Sequence, residues 1–342
     1  MSDMNRRWLL AKRPRGMVGP ENFEWSEAPI PSVSQGEVLV RNLFLSFDPT
    51  QRGWMEDRPS YIPPVKIGQV MRAASVGQVV ESKNPDFSVG DLVQGLFGWQ
   101  DYHLATSSGP LVLTKVPDGI PPERMLSVLG LTGITAYFGL LELGEPKAGD
   151  TVLVSGAAGA TGSVAAQIAK LKGCRVIGIA GGPTKVDWLL EQAKLDGAID
   201  YKSEDVRTRI GELCPDGIDV YFDNVGGEIL EAALDAIAER ARVVLCGGIS
   251  GYNDEKPRPG PNNLMNLVLK RARMEGFIVI DYISRSGEAI KQLAEWVDNG
   301  QIAVIEDIQE GLENAPRTLQ RLFTGANLGK QLLKIAGAST TD

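Results

Sequence analysis

Two patterns of apolar and polar positions meet near Leu126. Over the first 120 residues short runs alternate, as in Glu37-Val38-Leu39-Val40-Arg41, Gly77-Gln78-Val79-Val80 and Gly90-Asp91-Leu92-Val93-Gln94-Gly95. Turn residues at Ser34-Gln35-Gly36 and Val89-Gly90-Asp91 break them. Period-two alternation buries one face of each strand, so this part predicts an all-β unit, a partly open barrel. From Ser127 to Leu143 the spacing becomes helical, and Gly144 stops it.

Strand and helix then alternate. Strands are expected at Thr151–Ser155, Arg175–Ala180, Ile218–Phe222, Arg242–Cys246 and Met274–Ile280, with a short one near Ala198–Asp200. Helices are expected between them, at Thr161–Lys172, Thr184–Ala193, Glu204–Leu213, Glu228–Ala238 and Pro261–Lys270. This alternation specifies a parallel sheet covered on both faces, and six strands suffice for a complete dinucleotide-binding fold. Ser286–Val297 reads as an amphipathic helix with Ile290, Leu293, Ala294 and Val297 on one face. Strands at Val304–Ile308 and Gln331–Ile335, around a short helix, are expected to return to the first domain. The expected class is α/β, a doubly wound parallel sheet plus a β-barrel, with domains at 1–126, 127–303 and 304–342.

Composition narrows the function. A net charge of −8 disfavours a general nucleic-acid binder. The most basic cluster, Lys270-Arg271-Ala272-Arg273, reads as a helix end, where cations suit the dipole. No apolar run approaches the roughly 20 residues of a membrane span. Pro14-Arg15-Gly16 ends the short N-terminal apolar patch too early for a secretory signal. Three cysteines, Cys174, Cys214 and Cys246, cannot all pair, and a reduced, cytoplasmic protein is expected.

The strongest motif is Thr151-Val152-Leu153-Val154-Ser155-Gly156-Ala157-Ala158-Gly159-Ala160-Thr161-Gly162-Ser163. A buried strand enters a glycine-rich turn and leaves as a helix. Ala157, Gly159 and Gly162 stand at the three glycine positions of the dinucleotide fingerprint. The second must lack a side chain so that backbone can approach a pyrophosphate, and the third lets helix and strand pack closely. The helix N-terminus then offers free N–H groups to phosphate. NAD-specific sites usually place an acid about 20 residues on, against the ribose 2′-hydroxyl. Here Ile179-Ala180-Gly181-Gly182-Pro183-Thr184-Lys185 has none, and Lys185 could neutralise a 2′-phosphate. The competing reading of Lys185 is a solvated residue in a helix's first turn, a poor place for a cation.

A zinc oxidoreductase would need Cys, His and carboxylate ligands in the first domain. Residues 1–120 hold no cysteine, and the single histidine, His103, stands in a strand-like run without a second ligand nearby, so it reads as structural or exposed. Nor is there a Gly-x-Ser-x-Gly element for a hydrolase.

Several further stretches fit one family. They are Leu131-Thr132-Gly133-Ile134-Thr135-Ala136-Tyr137-Phe138-Gly139-Leu140-Leu141, Tyr221-Phe222-Asp223-Asn224-Val225-Gly226-Gly227 and Cys246-Gly247-Gly248-Ile249-Ser250-Gly251-Tyr252-Asn253. Arg273-Met274-Glu275-Gly276-Phe277-Ile278-Val279 and Asn327-Leu328-Gly329-Lys330 complete the set. With the glycine turn, the chain resembles, over nearly its whole length, the zinc-independent medium-chain dehydrogenase/reductases of the prostaglandin reductase / leukotriene B4 12-hydroxydehydrogenase group. That group includes plant alkenal double-bond reductases and bacterial curcumin reductase.

The resemblance implies a Rossmann domain with a GroES-like domain built from both chain ends, NADPH, no metal, and reduction of a C=C bond conjugated to a carbonyl. By motif position, Ala158, Gly159, Ala160, Thr161 and Gly162 would meet the cofactor, and Lys185 and Tyr201 its 2′-phosphate. Asn224, Cys246, Gly247, Ile249, Ser250, Tyr252, Phe277, Ile278, Val279 and Asn327 would line the rest. Members are often homodimers joined through the Rossmann domain. In one place the chain departs from the group, which commonly has Asp-Pro-Tyr-Met-Arg where Asp48-Pro49-Thr50-Gln51-Arg52 stands. That tyrosine faces the substrate in some members. Tyr61 either fills part of its space or is an ordinary lid residue.

Tyr252, just past a strand's C-terminal end, is the expected hydrogen-bond donor to the substrate carbonyl, with Tyr61 a second catalytic candidate; the plainer reading has Tyr252 only packing on the cofactor. The leading expectation is an enone or enal reductase. An NADPH:quinone oxidoreductase shares fold and cofactor, and a non-catalytic NADPH-binding protein is the third reading. Neither nucleic acid nor membrane is an expected partner.

Overall fold

A computed structural model describes residues 4–106, 113–256 and 258–338. The chain forms two compact units, Met1–Leu126 with Glu306–Asp342, and Ser127–Ile305. In the first, β1 (Met4–Leu10) and β2 (Phe23–Pro29) make an antiparallel ribbon. Then come β3 (Glu37–Ser46), the short helix α1 (Thr50–Trp54), β4 (Ser75–Ser82), β5 (Leu92–Gly95), β6 (Tyr102–Thr106) and β7 (Thr114–Lys115).

The second unit runs α2 (Leu131–Phe138), β8 (Thr151–Ser155), α3 (Ala160–Leu171), β9 (Arg175–Ala180), α4 (Pro183–Glu191), β10 (Gly197–Asp200) and α5 (Val206–Leu213). It continues through β11 (Ile218–Asp223), α6 (Gly227–Asp235), β12 (Ile237–Leu245), α7 (Met265–Lys270), β13 (Arg273–Gly276) and α8 (Ser286–Asp298). The tail returns to the first unit as β14 (Glu306–Glu310), α9 (Ala315–Thr324) and β15 (Lys330–Lys334).

Strand β3 is the spine of the first unit, pairing antiparallel with β4, β6 and β15. Alternation along β3 and its neighbours buries Val38, Val40, Val79, Val93 and Phe97 together. A second cluster centres on Trp99, whose ring lies 4.8 Å from Phe23 and 5.1 Å from Phe47. Leu312, Leu319 and Leu333 of the tail belong to that cluster, and Trp8 Nε1 donates to the Leu312 carbonyl at 2.8 Å. The return segment is therefore part of this core, through apolar burial that sequence spacing alone does not locate.

In the second unit all six strands are parallel, in the order β10-β9-β8-β11-β12-β13. Val152, Leu153 and Val154 are fully buried, as a central strand with both faces covered requires. The direction of winding reverses between β8 and β11, which opens a crevice at their C-terminal ends.

Several element bounds differ from the sequence expectation, four of them by enough to matter. The helix expected over Ser127–Leu143 is α-helical only from Leu131 to Phe138, then widens into a π turn over Gly139–Gly144. Gly139 lies so close to Phe277 that a Cβ there would sit 2.3 Å from its ring. The strand expected to reach Ile280 stops at Gly276, and Val279–Arg285 winds into a 3-10 turn. Helix α6 ends at Asp235 instead of Ala238, because Ile237 already enters β12 and its side chain joins the core. Helix α7 starts at Met265 instead of Pro261, after Asn263 Nδ2 has bonded Asp235 at 2.6 Å. Among the described residues no helix is long and apolar enough to cross a membrane.

Candidate functional site in the crevice of the parallel sheet

The crevice is organised by a buried carboxylate. Asp223, at the end of β11, has no exposure to solvent. Its Oδ1 accepts from the Tyr221 hydroxyl at 2.7 Å, the Ser155 hydroxyl at 2.8 Å, and the N–H groups of Val225 and Gly226, each at 3.0 Å. Burial and the neighbouring Asp223 raise the Tyr221 pKa well above the usual phenol value, so Tyr221 remains a donor. Ser155 in turn accepts the Asn224 N–H at 2.9 Å, and Asn224 Nδ2 donates to the Ser155 carbonyl at 2.7 Å. The Asp223 carbonyl takes the N–H groups of Cys246 and Gly247 at 2.9 and 3.0 Å. One residue thus ties the ends of β8, β11 and β12 together. Sequence reasoning missed Ser155, Tyr221 and Asp223 as a unit. The available signal was a carboxylate closing the apolar run Val220-Tyr221-Phe222 at the end of a core strand.

The glycine turn after β8 is shaped by close approach. A Cβ on Gly162 would lie 2.3 Å from the Gly156 carbonyl oxygen, and one on Gly159 3.1 Å from the same atom. Gly156 itself has φ of +58°, the left-handed region that glycine tolerates. Gly159 caps α3 without a side-chain hydrogen bond, so the first-turn N–H groups of Ala160, Thr161 and Gly162 are not taken by a capping side chain. Ala158, buried in the turn, completes this cradle.

At the end of β9, Gly181 faces the Tyr201 ring, and a Cβ on Gly181 would come within 2.7 Å of it. Tyr201 follows β10 and is 45% exposed, while Lys185 stands in the first turn of α4. The carboxylate of Asp200 accepts from Gly182 N–H at 2.7 Å, Lys202 N–H at 3.0 Å and the Ser203 hydroxyl at 2.9 Å. Those donors, Gly182 first, hold its carboxyl below the usual carboxylate range. Its charge is engaged by its own turn and by the turn that follows β9.

Past β12, Cys246, Gly247, Ile249, Ser250 and Tyr252 form one loop. The Tyr252 hydroxyl accepts the Gly248 N–H at 3.2 Å, and a Cβ on Gly247 would lie 3.3 Å from that hydroxyl. Ile249 N–H donates to the Asn224 carbonyl at 3.2 Å, and the Ser250 hydroxyl to the Val225 carbonyl at 2.7 Å. Burial first, with Asp223 second, pushes the Cys246 thiol up to about 12, which leaves it no nucleophile at neutral pH. Past β13, Phe277 meets Tyr282 edge-on at 6.3 Å, with Ile278 and Val279 following it.

Two expected site residues lie in the other unit. Tyr61 is half exposed; its hydroxyl bonds the Thr50 hydroxyl and accepts from Trp54 Nε1 at 3.2 Å. Asn327 is buried and its Nδ2 donates to the Gly329 carbonyl at 3.0 Å. His103 stacks on Phe97 at 5.3 Å, its Nδ1 lies 3.1 Å from Gln100 Nε2, and burial lowers its pKa. It is a packed strand residue. Among the described residues no group of three or more His, Cys, Asp or Glu side chains could hold a metal ion, so the donor set does not fit zinc.

Comparison with known proteins gives this geometry a family. Residues 6–115 match the family described as the N-terminal domain of oxidoreductase, and residues 160–299 the one described as zinc-binding dehydrogenase. The chain is 44% identical to the NADPH-dependent curcumin reductase of Escherichia coli over 97% of both chains. It is 40% identical to the NADP(+)-dependent 2-alkenal reductase of Nicotiana tabacum over 88% of both. CurA from Vibrio vulnificus, solved in complex with NADPH, superposes with a TM-score of 0.92 at 41% identity, covering 97% of this chain and 99% of that one. With this identity along both units, the chain belongs to the medium-chain dehydrogenase/reductase family, as an oxidoreductase of the group that holds the curcumin, prostaglandin and 2-alkenal reductases.

Proposed function

We propose that the chain uses NADPH to reduce the C=C bond of α,β-unsaturated aldehydes or ketones. The observation that carries this reading is the placement of the Tyr252 hydroxyl on the Gly247–Gly248 loop, in the crevice that Asp223 organises. Kinship over nearly the full length with an NADPH-dependent curcumin reductase supports it.

The residues present fit the cofactor. The cradle of residues 158–162 leaves no room for a Cβ at Gly162 and little at Gly159, and it opens on the N-terminus of α3, which suits a pyrophosphate. Lys185 and Tyr201 would hold the 2′-phosphate, with no acid following β9 to compete. Asn224, Cys246, Gly247, Ile249, Ser250, Phe277, Ile278 and Val279 would line the nicotinamide half. NADPH, when bound, supplies the hydride that the β-carbon of the enone accepts, while charge moves to the carbonyl oxygen and the α-carbon then takes a proton. Tyr252 donates a hydrogen bond to that oxygen as its charge develops. A hydroxyl that accepts an amide N–H is polarised toward donation. An assay of NADPH oxidation with 2-alkenals, 2-alkenones and quinones tests the reading. Turnover of quinones alone would favour a quinone reductase, and none at all a cofactor-binding protein without catalysis.

The partner we propose for the second unit is a second copy of the chain. Strand β13 ends the parallel sheet with residues mostly exposed, and an open edge is a template for pairing. Just before it in the chain, α7, which packs on β12, shows Met265, Val268 and Leu269, each more than 60% exposed. Two such edges related by a two-fold axis would bury these side chains against each other. Light scattering is expected to give the mass of a dimer, and Val268→Glu with Leu269→Glu to give a monomer. A monomeric parent protein would remove this part of the proposal.

A further inference from the structure

Arg72 differs from three other arginines of the first unit, which have carboxylate partners: Arg13 pairs with Asp57, and both Arg52 and Arg58 with Glu56. Arg72, about half buried, has no such pair among the described residues, and desolvation lowers its pKa. A partly shielded guanidinium that faces no carboxylate is open to an arriving anion through its remaining N–H groups. The surroundings are built. One Nη donates to the Pro63 carbonyl at 2.9 Å, and the guanidinium lies over the Trp54 ring at 5.5 Å. Gln51 Nε2 bonds both the Ser46 and Arg72 carbonyls, at 3.1 and 3.2 Å, which fixes Arg72 to the helix that carries Thr50 and Trp54. Tyr61 closes the group through its bonds to Thr50 and Trp54.

The geometry points to Arg72, flanked by Trp54 and Tyr61, as a binding site for a carboxylate carried on a flat, conjugated substrate. Guanidinium N–H groups match a carboxylate in a planar fork, and the two aromatic rings suit the flat body next to it. This deepens the proposed function and rests on it for the claim that the ligand is a substrate.

The test compares 4-phenylbut-3-en-2-one with its para-carboxylate in the wild-type enzyme, Arg72→Met and Arg72→Lys. The wild type is expected to favour the carboxylate in kcat/KM. Arg72→Met is expected to lower the carboxylate-to-neutral ratio about five- to tenfold, through KM, and Arg72→Lys to keep part of it. Binding of the saturated carboxylated ketone, followed by tryptophan fluorescence, gives the same comparison without turnover and is expected to weaken by a similar factor in Arg72→Met. An unchanged ratio and unchanged binding would overturn the site, as would a rise in the KM for NADPH in place of the ratio change. Failure of both enones in the wild type, with carboxylate binding retained and Arg72-dependent, would sink the reductase reading and leave the anion site standing.

Discussion

Lys185→Ala is expected to weaken NADPH binding by about one to two decades and NADH binding far less. A charge-assisted contact to phosphate contributes about 1.5–3 kcal/mol, which sets that range. NADH lacks the 2′-phosphate and so cannot lose the contact. The end of β9 carries Gly181 and Gly182 where an NAD site would carry an acid, and Asp200 is engaged by Gly182 N–H from that turn and by two donors of its own turn. Nothing at the end of that strand therefore rewards a free 2′-hydroxyl. Fluorescence titration of both cofactors against both proteins is the check. Equal losses for NADPH and NADH would mean that Lys185 acts through α4 and not through the phosphate.

Tyr252→Phe is expected to lower kcat for an enone about tenfold or more at saturating NADPH, with cofactor affinity nearly kept. Positioned proton donors contribute factors of this size or larger, and a donor that acts as charge develops is felt in kcat. The ring of phenylalanine keeps the packing over Gly247 and removes only the oxygen that Gly248 N–H approaches. A kcat equal to that of the parent enzyme would return Tyr252 to a packing role.

Local signals made much of the second unit legible. The run Thr151–Ser155 followed by its glycines announces a buried strand, a tight turn and a helix, and β8 and α3 follow that plan. What stayed hidden depends on contacts between distant residues. Ser155 and Asp223 stand 68 positions apart, and only the pairing of β8 with β11 makes the Ser155 hydroxyl a donor to that carboxylate. The close approach of Phe277 that leaves no space for a side chain at Gly139 comes from far along the chain, so no window of sequence around Gly139 shows it. In the first unit the departure at Thr50 was visible as a residue change. That Tyr61 bonds its hydroxyl, and that Arg72 lies beside both on Trp54, follows from the loop's return to α1.

The most direct measurement of the central claim is isotopic. An enone is reduced with NADPH deuterated at the transferred position of its dihydronicotinamide ring, and the product is read by NMR. The account predicts a saturated ketone with deuterium on the former β-carbon and a solvent proton on the α-carbon. An allylic alcohol with deuterium on the carbinol carbon, its double bond intact, would contradict it.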